Sequence, residues 1–175
     1  MLCFPYAFGA DAFDALYKKA EPFKGALYND IDPFEDEDMI KYAYSPYPLF
    51  RTSAYLYFKD KKIPCGYYSI TPRTLQGADY ILFKQYGKVK FIIPAAKKEL
   101  TPPNFYKAAI PQRKKTRWQK FSEAVRNKFY KLSKNSQKIP PPKSYIQTEL
   151  NDTYIIVYVY YGMDKYTVIF KRTPY

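Results

Sequence analysis

From residue 53 onward, short runs alternating apolar or aromatic with polar positions are separated by brief turn-forming breaks. This period of two is that of strands with a buried face. It predicts strands over 53–59, 65–70, 79–85, 88–93, 144–150, 153–161 and 166–172. Most breaks between them are short: Asp60-Lys61-Lys62, Tyr86-Gly87, Asn151-Asp152 and Gly162-Met163-Asp164. Links of that length require antiparallel pairing, because a parallel pair needs a long crossover. At Tyr86-Gly87 the glycine supplies the positive φ of a tight hairpin. In the run 154–161, Tyr154, Ile156, Tyr158 and Tyr160 take one face and Ile155, Val157, Val159 and Tyr161 the other. Neither face is polar, so this strand is expected at the centre of the sheet with both faces covered.

One long excursion, residues 94–143, separates the fourth predicted strand from the fifth, and its pattern is helical. Trp118, Phe121, Val125, Phe129 and Leu132 recur at spacings of three and four, the stripe of a helix that packs one face on a core. Thr116 and Gln119 stand at capping-box spacing. Arg117, Lys120, Lys131 and Lys134 fall opposite the stripe and Lys128 near its boundary. Pro102-Pro103, Pro111 and Pro140-Pro141-Pro142 bracket this helix, predicted over about 116–134, and the triple proline reads as a stiff connector. A short helix is predicted over 10–20, with Asp11 and Asp14 near its start and Lys18 and Lys19 near its end, matching the macrodipole; Pro22 ends it. Residues 29–50, interrupted by Pro33, Pro46 and Pro48, read as irregular. The fold class that follows is α+β: an antiparallel sheet of about six to seven strands, one basic amphipathic helix inserted between strands, and an irregular acidic N-terminal segment.

Charge sharpens this division. Residues 1–50 carry 4 basic and 9 acidic side chains, and residues 51–175 carry 25 and 7. Within the latter, 97–143 holds 14 basic and 2 acidic, so most of the net +13 of the 175-residue chain sits there. An acidic segment, 1–50, thus precedes a basic α+β domain, 51–175, and the asymmetry points to a partner. Apolar types make up 47% of the chain, enough for a core, and 21 residues are Tyr. There is no His, which excludes His-based catalysis, ligation and pH switching. Cys3 and Cys65 are too few for a disulfide scaffold or a four-cysteine zinc site and read as unpaired thiols, with a bridge between them left open. The apolar start, 1–9, lacks the basic region of a secretory signal and is broken by Pro5. No run approaches the ~18 apolar residues of a spanning helix. The chain is expected in the cytoplasm, or in a particle assembled there.

The basic helix holds the candidate chemistry. Between Arg113 and Lys138 there are 10 Lys or Arg and one acid, Glu123, and phosphate neutralisation needs many cations on one accessible face. Nucleic-acid contact is assigned to Arg113, Lys114, Lys115, Arg117, Trp118, Lys120, Lys128, Lys131 and Lys134, with Trp118 either stacking on a base or anchoring the helix to the sheet. Such contacts position RNA or DNA without reading its sequence. A membrane-surface helix carries a similar pattern and is the weaker alternative. The tyrosines of 154–161 suit a core or a protein interface better than base stacking. The acids Asp30, Asp32, Glu35, Asp36, Glu37 and Asp38 read as a solvated loop, or as a surface that docks on the basic helix of its own chain or a neighbour. Asp60-Lys61-Lys62 resembles part of a nuclease site, but no further carboxylates converge on it in sequence and a hairpin tip accounts for it. No catalytic residue, metal or cofactor is assigned. The function expected is that of a non-enzymatic basic protein contacting nucleic-acid phosphates within a larger assembly, such as a ribosome-like particle or a virion. The alternative is a structural subunit, for example of a virion, that assembles through Tyr-rich protein interfaces, with the basic helix docking on an acidic partner.

Overall fold

A computed structural model of the chain describes residues 10–110, 116–118, 121–122, 125 and 138–174. Two antiparallel sheets carry the fold. The first has the order β1 (Leu49–Thr52), β4 (Gly66–Leu75), β5 (Ala78–Gln85), β6 (Lys88–Pro94). The second runs β3 (Lys61–Ile63), β2 (Leu56–Phe58), β10 (Asp164–Lys171), β9 (Tyr154–Tyr161), β8 (Ser144–Leu150), and β7 (Lys97–Leu100) also pairs with β10. Two stretches of chain pass from one sheet to the other. Residues 49–58 and 61–69 form one bent hairpin: β1 pairs with β4 in the first sheet, β2 with β3 in the second, and the register slips by one residue at the bend. After β6, Ala95 N–H donates to Asp79 O in one sheet and Ala96 N–H to Thr167 O in the other, so β7 continues on β10. Strands that switch sheets in this way form the corners of packed β layers.

The core lies between the sheets because their inward positions alternate with outward ones. Tyr68, Ile70, Ile81, Phe83 and Ile93 of the first sheet share one buried cluster with Leu56, Phe58, Val157, Val168 and Phe170 of the second. Phe83 is central, with its ring 5.9 Å from those of Phe50 and Phe170 and 5.7 Å from that of Tyr68, all in edge-to-face contact. Each such buried ring contributes up to about 3 kcal/mol. Helix α1 (Ala10–Lys19) adds Phe13 and Tyr17 to this core. Tyr17 packs on Phe58 and Tyr154, and its hydroxyl accepts the Lys59 N–H at 2.8 Å.

The helix predicted over 10–20, the antiparallel class and the hairpin at Tyr86-Gly87 all appear. As expected, β9 is central and covered on both faces: Tyr154 and Tyr160 are buried, Tyr158 and Tyr161 half-buried, and Phe105 of α3 (Phe105–Ala109) stacks on Tyr160 at 3.8 Å. The differences have physical causes. Short β1, β3 and β7 are too brief to show a period. The strand expected over 65–70 runs on to Leu75 through Pro72, because β1 stops opposite Ser69 and leaves that side of the ladder open to a residue without an N–H. The region read as irregular contains helix α2 (Glu35–Lys41) and β1. Of the helix expected over 116–134, Arg117, Trp118, Phe121, Ser122 and Val125 are helical, Thr116 is described and lies just before the helix, and the remainder lies outside the described residues. Its stripe was expected on the core, yet Trp118 is 79% and Phe121 63% exposed, and Val125 is exposed as well. Residues 23–47, α1 and α3 already cover sheet surface that such a stripe would need.

The β5–β6 turn has φ of 52° at Tyr86 and 72° at Gly87, with Gln85 paired to Lys88, the geometry of a type I′ hairpin. A Cβ on Gly87 would meet nothing within 4 Å, so Gly87→Ala isolates the conformational cost. It is expected to destabilise by about 1–2 kcal/mol in urea unfolding. Tyr86 is 96% exposed, and Tyr86→Asn should raise the unfolding midpoint, because Asn-Gly is the favoured I′ pair. A rise with Gly87→Ala would contradict this turn.

Candidate functional site

Of the six acids between Asp30 and Asp38, expected to be solvated, Asp32, Glu35 and Asp38 turn to the first sheet while Asp30, Asp36 and Glu37 are exposed. Pairing of Ser69 with Lys84, Thr71 with Leu82 and Arg73 with Tyr80 puts both Arg73 and Lys84 on the outer face of the first sheet. Residues 23–47 cross that face as a strap. At one end Phe23 and Leu27 pack on Leu75, Tyr80, Leu82 and Val89, with Phe23 edge-on to Tyr80 at 5.3 Å. At the other end Asp32, its side chain fully buried, meets both cations. Arg73 Nε donates to Asp32 Oδ1 at 2.9 Å and its NH2 to Oδ2 at 2.9 Å, a two-pronged geometry that fixes direction as well as charge. Lys84 Nζ lies 3.1 Å from Asp32 Oδ2 and 3.3 Å from Glu35 Oε2. Arg73 NH2 also reaches Asp38 Oδ2 at 2.6 Å. Tyr47 completes the set: its hydroxyl donates to Asp38, accepts from Arg73, and its ring centroid lies 3.8 Å from Lys84 Nζ.

Three carboxylates therefore answer two cations in a nearly dry site. Burial pushes the Asp32 carboxyl up, but the hydrogen bonds and charges of Arg73 and Lys84, with the Phe34 N–H, outweigh it and hold the group below the ordinary carboxylate range. Burial opposes the Arg73 charge too, and the bonds to Asp32 and Asp38 more than restore it. Burial, then Asp38, pushes the Tyr47 hydroxyl up. Each charged group of the cluster has a partner within it, an arrangement that fixes the strap on the sheet. Sequence reading missed it, although a lone Lys84 at the end of the apolar run 80–83 was a signal, because a cation carried into a buried face needs a carboxylate partner. Docking on the basic helix is the alternative expected for these acids; among the described residues Asp32, Glu35 and Asp38 pair with the strand cations Arg73 and Lys84, and the cations of the helix other than Arg117 lie outside the described residues. The chain beyond the basic stretch does approach the strap: Lys138 Nζ donates to Met39 O at 3.0 Å, and Ile139 bridges to Tyr42.

Of the residues assigned to nucleic-acid contact, Arg117 and Trp118 are described, adjacent and exposed. Arg113, Lys114, Lys115, Lys120, Lys128, Lys131 and Lys134 lie outside the described residues. Asp60 stands in the β2–β3 turn, and Lys61 Nζ lies 3.5 Å from Ile92 O. Among the described residues no group of three His, Cys, Asp or Glu side chains is placed to hold a metal, and no helix is long and apolar enough to cross a membrane. Cys65 is a free, exposed thiol, and Cys3 lies outside the described residues. A groove of about 440 Å³ runs between the strap and β6, lined by Phe23, Leu27, Asp30, Lys61, Lys90 and Phe91 among others.

Removing one partner of a buried ion cluster leaves uncompensated charge, so Asp32→Asn is expected to cost about 3–5 kcal/mol in denaturant unfolding. The folded Asp32 pKa lies below its unfolded value. Its contribution is therefore full above about pH 4 and falls away as pH drops through the lowered folded value. Stability of the wild type should fall through that acid range and that of Asp32→Asn should fall less. Equal acid sensitivity of the two proteins would contradict the role given to Asp32.

Comparison with protein-family models, with curated proteins and with solved structures finds no match to this chain.

Proposed function

We propose that this chain is a non-enzymatic basic protein that contacts the phosphates of RNA or DNA within a larger nucleoprotein assembly built in the cytoplasm. One observation carries the reading. In the stretch that concentrates the charge, the described side chains Arg117, Trp118 and Phe121 are exposed to solvent, so they are not consumed by the core. Ten Lys or Arg between Arg113 and Lys138 against the single acid Glu123 supply the polyanion footprint. Three of the strap's acids, Asp32, Glu35 and Asp38, are engaged with Arg73 and Lys84. An exposed indole beside a guanidinium adds a stacking group to a phosphate site.

A second reading, a structural subunit held by protein interfaces, draws on a different surface. Met39, Ile40, Tyr44 and Ile139 are 46%, 73%, 65% and 48% exposed, and the bridge between Tyr42 and Ile139 brings the two segments together. Apolar and aromatic residues gathered in this way suit a neighbouring subunit. The two readings are compatible in one particle.

The test is a titration of the chain, stripped of nucleic acid at high salt, with a short RNA and a short DNA at several salt concentrations. Binding at micromolar or tighter affinity is expected, with log K falling linearly in log salt. Reversing the charge of Lys120, Lys131 and Lys134 should flatten that slope by about 2–3. Absence of binding at low salt would refute the phosphate reading, and concentration-dependent sedimentation in that case would favour the protein interface.

A further inference from the structure

The bent hairpin of residues 49–58 and 61–69 carries a second row of cations and rings, remote in sequence from the basic stretch. Along the first arm Phe50, Thr52, Leu56 and Phe58 are buried, which leaves Arg51 and Tyr55 outside and Tyr57 half-buried. Across the ladder Arg51 stands opposite Tyr67 and Tyr57 opposite Lys62, and the one-residue slip at the bend leaves both Lys62 and Tyr67 exposed although they stand five apart. The charged groups lie against the rings. The Arg51 guanidinium is 5.7 Å from the Tyr67 ring centroid, and Lys62 Nζ is 4.0 Å from that of Tyr55 and 6.0 Å from that of Tyr57. Tyr55 is 46% and Tyr67 56% exposed, and Arg51 and Lys62 are exposed too. Over residues 49–69 the charges are Arg51, Lys59, Lys61 and Lys62 against Asp60, which sits in the turn at the hairpin's end.

The chemistry of this row selects its partner. A protein interface core is depleted in Lys, and a duplex hides the faces of its bases. Unstacked bases pair a flat π face with a phosphate at every step, which is what alternating tyrosines and cations meet. We propose that this face of the ribbon is a stacking platform for a single-stranded polynucleotide, with bases on Tyr55 and Tyr67 and phosphates on Arg51 and Lys62. The inference rests on the phosphate-binding reading and adds to it a second surface and the strandedness of the ligand. Arg51, Lys62 and Tyr67 sit on paired strands, and Tyr55 lies in the bend beside them with its ring 4.0 Å from Lys62 Nζ.

The test uses the full chain with a 12-nucleotide oligo-dT, a 12-nucleotide oligo-U and a 12-base-pair duplex. The double variant Tyr55→Ala, Tyr67→Ala is expected to weaken single-strand binding at least about 30-fold, with duplex affinity and the salt slope unchanged. Tyr55→Phe with Tyr67→Phe should bind as the wild type does, because the ring and not the hydroxyl is used; this pair also serves if the alanine variant does not fold. Photo-crosslinking of a bromouracil-substituted strand should label Tyr55 or Tyr67. If the wild type binds single strands and the alanine variant binds them equally well, the platform is refuted and the phosphate reading stands. Loss of self-association in that variant, with oligonucleotide binding intact, would make the face a protein interface. If the wild type binds no oligonucleotide at low salt, both readings fail together.

Discussion

Two cations on the outer face of a β-sheet, Arg73 and Lys84, organise the N-terminal third of this protein. Lys84 is almost fully buried and Arg73 nearly so, and neither can stay charged there without an anion. The answering carboxylates come from a strap 35 to 52 residues away in sequence, so the ion cluster sets where the strap lies and where α2 begins. Apolar contacts of Phe23 and Leu27 secure its other end. An apolar pair in place of the ions would hold at least as well; what the ions add is direction, since the two-pronged bond from Arg73 to Asp32 admits one orientation of the strap.

The same cluster decides how the rest of the charge is used. The chain carries +13 overall, and its richest acidic run faces inward in part, with Asp32, Glu35 and Asp38 turned to the sheet while Asp30, Asp36 and Glu37 remain exposed. Lys and Arg elsewhere are correspondingly less opposed. Those of the ribbon lie on aromatic rings, and Arg117 lies beside an exposed indole. A surface of this kind meets phosphate by charge and a base by its π face, without a pocket and without a reactive group.

Much of the β architecture was legible in the residues themselves. The run 154–161, with neither face polar, marked β9 as the doubly covered central strand, and Tyr86-Gly87 marked the β5–β6 hairpin, because both depend on local residue chemistry. What depended on distant partners was not legible. No local rule pairs Asp32 with Arg73 across 41 residues, so six acids in nine positions read as solvated. The stripe of Trp118, Phe121 and Val125 read as core-facing because amphipathic helices commonly are; whether sheet surface was left for it depended on how α1, the strap and α3 packed. The ribbon was half seen, as a hairpin over 53–70, but its passage from one sheet to the other, which turns Tyr55 and Tyr67 outward, is a property of the tertiary fold.

The central claim is that the acidic strap answers the sheet's own cations and a polynucleotide meets the remaining ones. Hydrogen exchange of the full chain with and without a single-stranded 12-mer tests it most directly. The account predicts added protection over 113–134 and around Tyr55 and Tyr67, with exchange over residues 30–41 unchanged. Faster exchange over 30–41 on adding the strand would contradict it, because the polyanion would then be displacing the strap from Arg73 and Lys84.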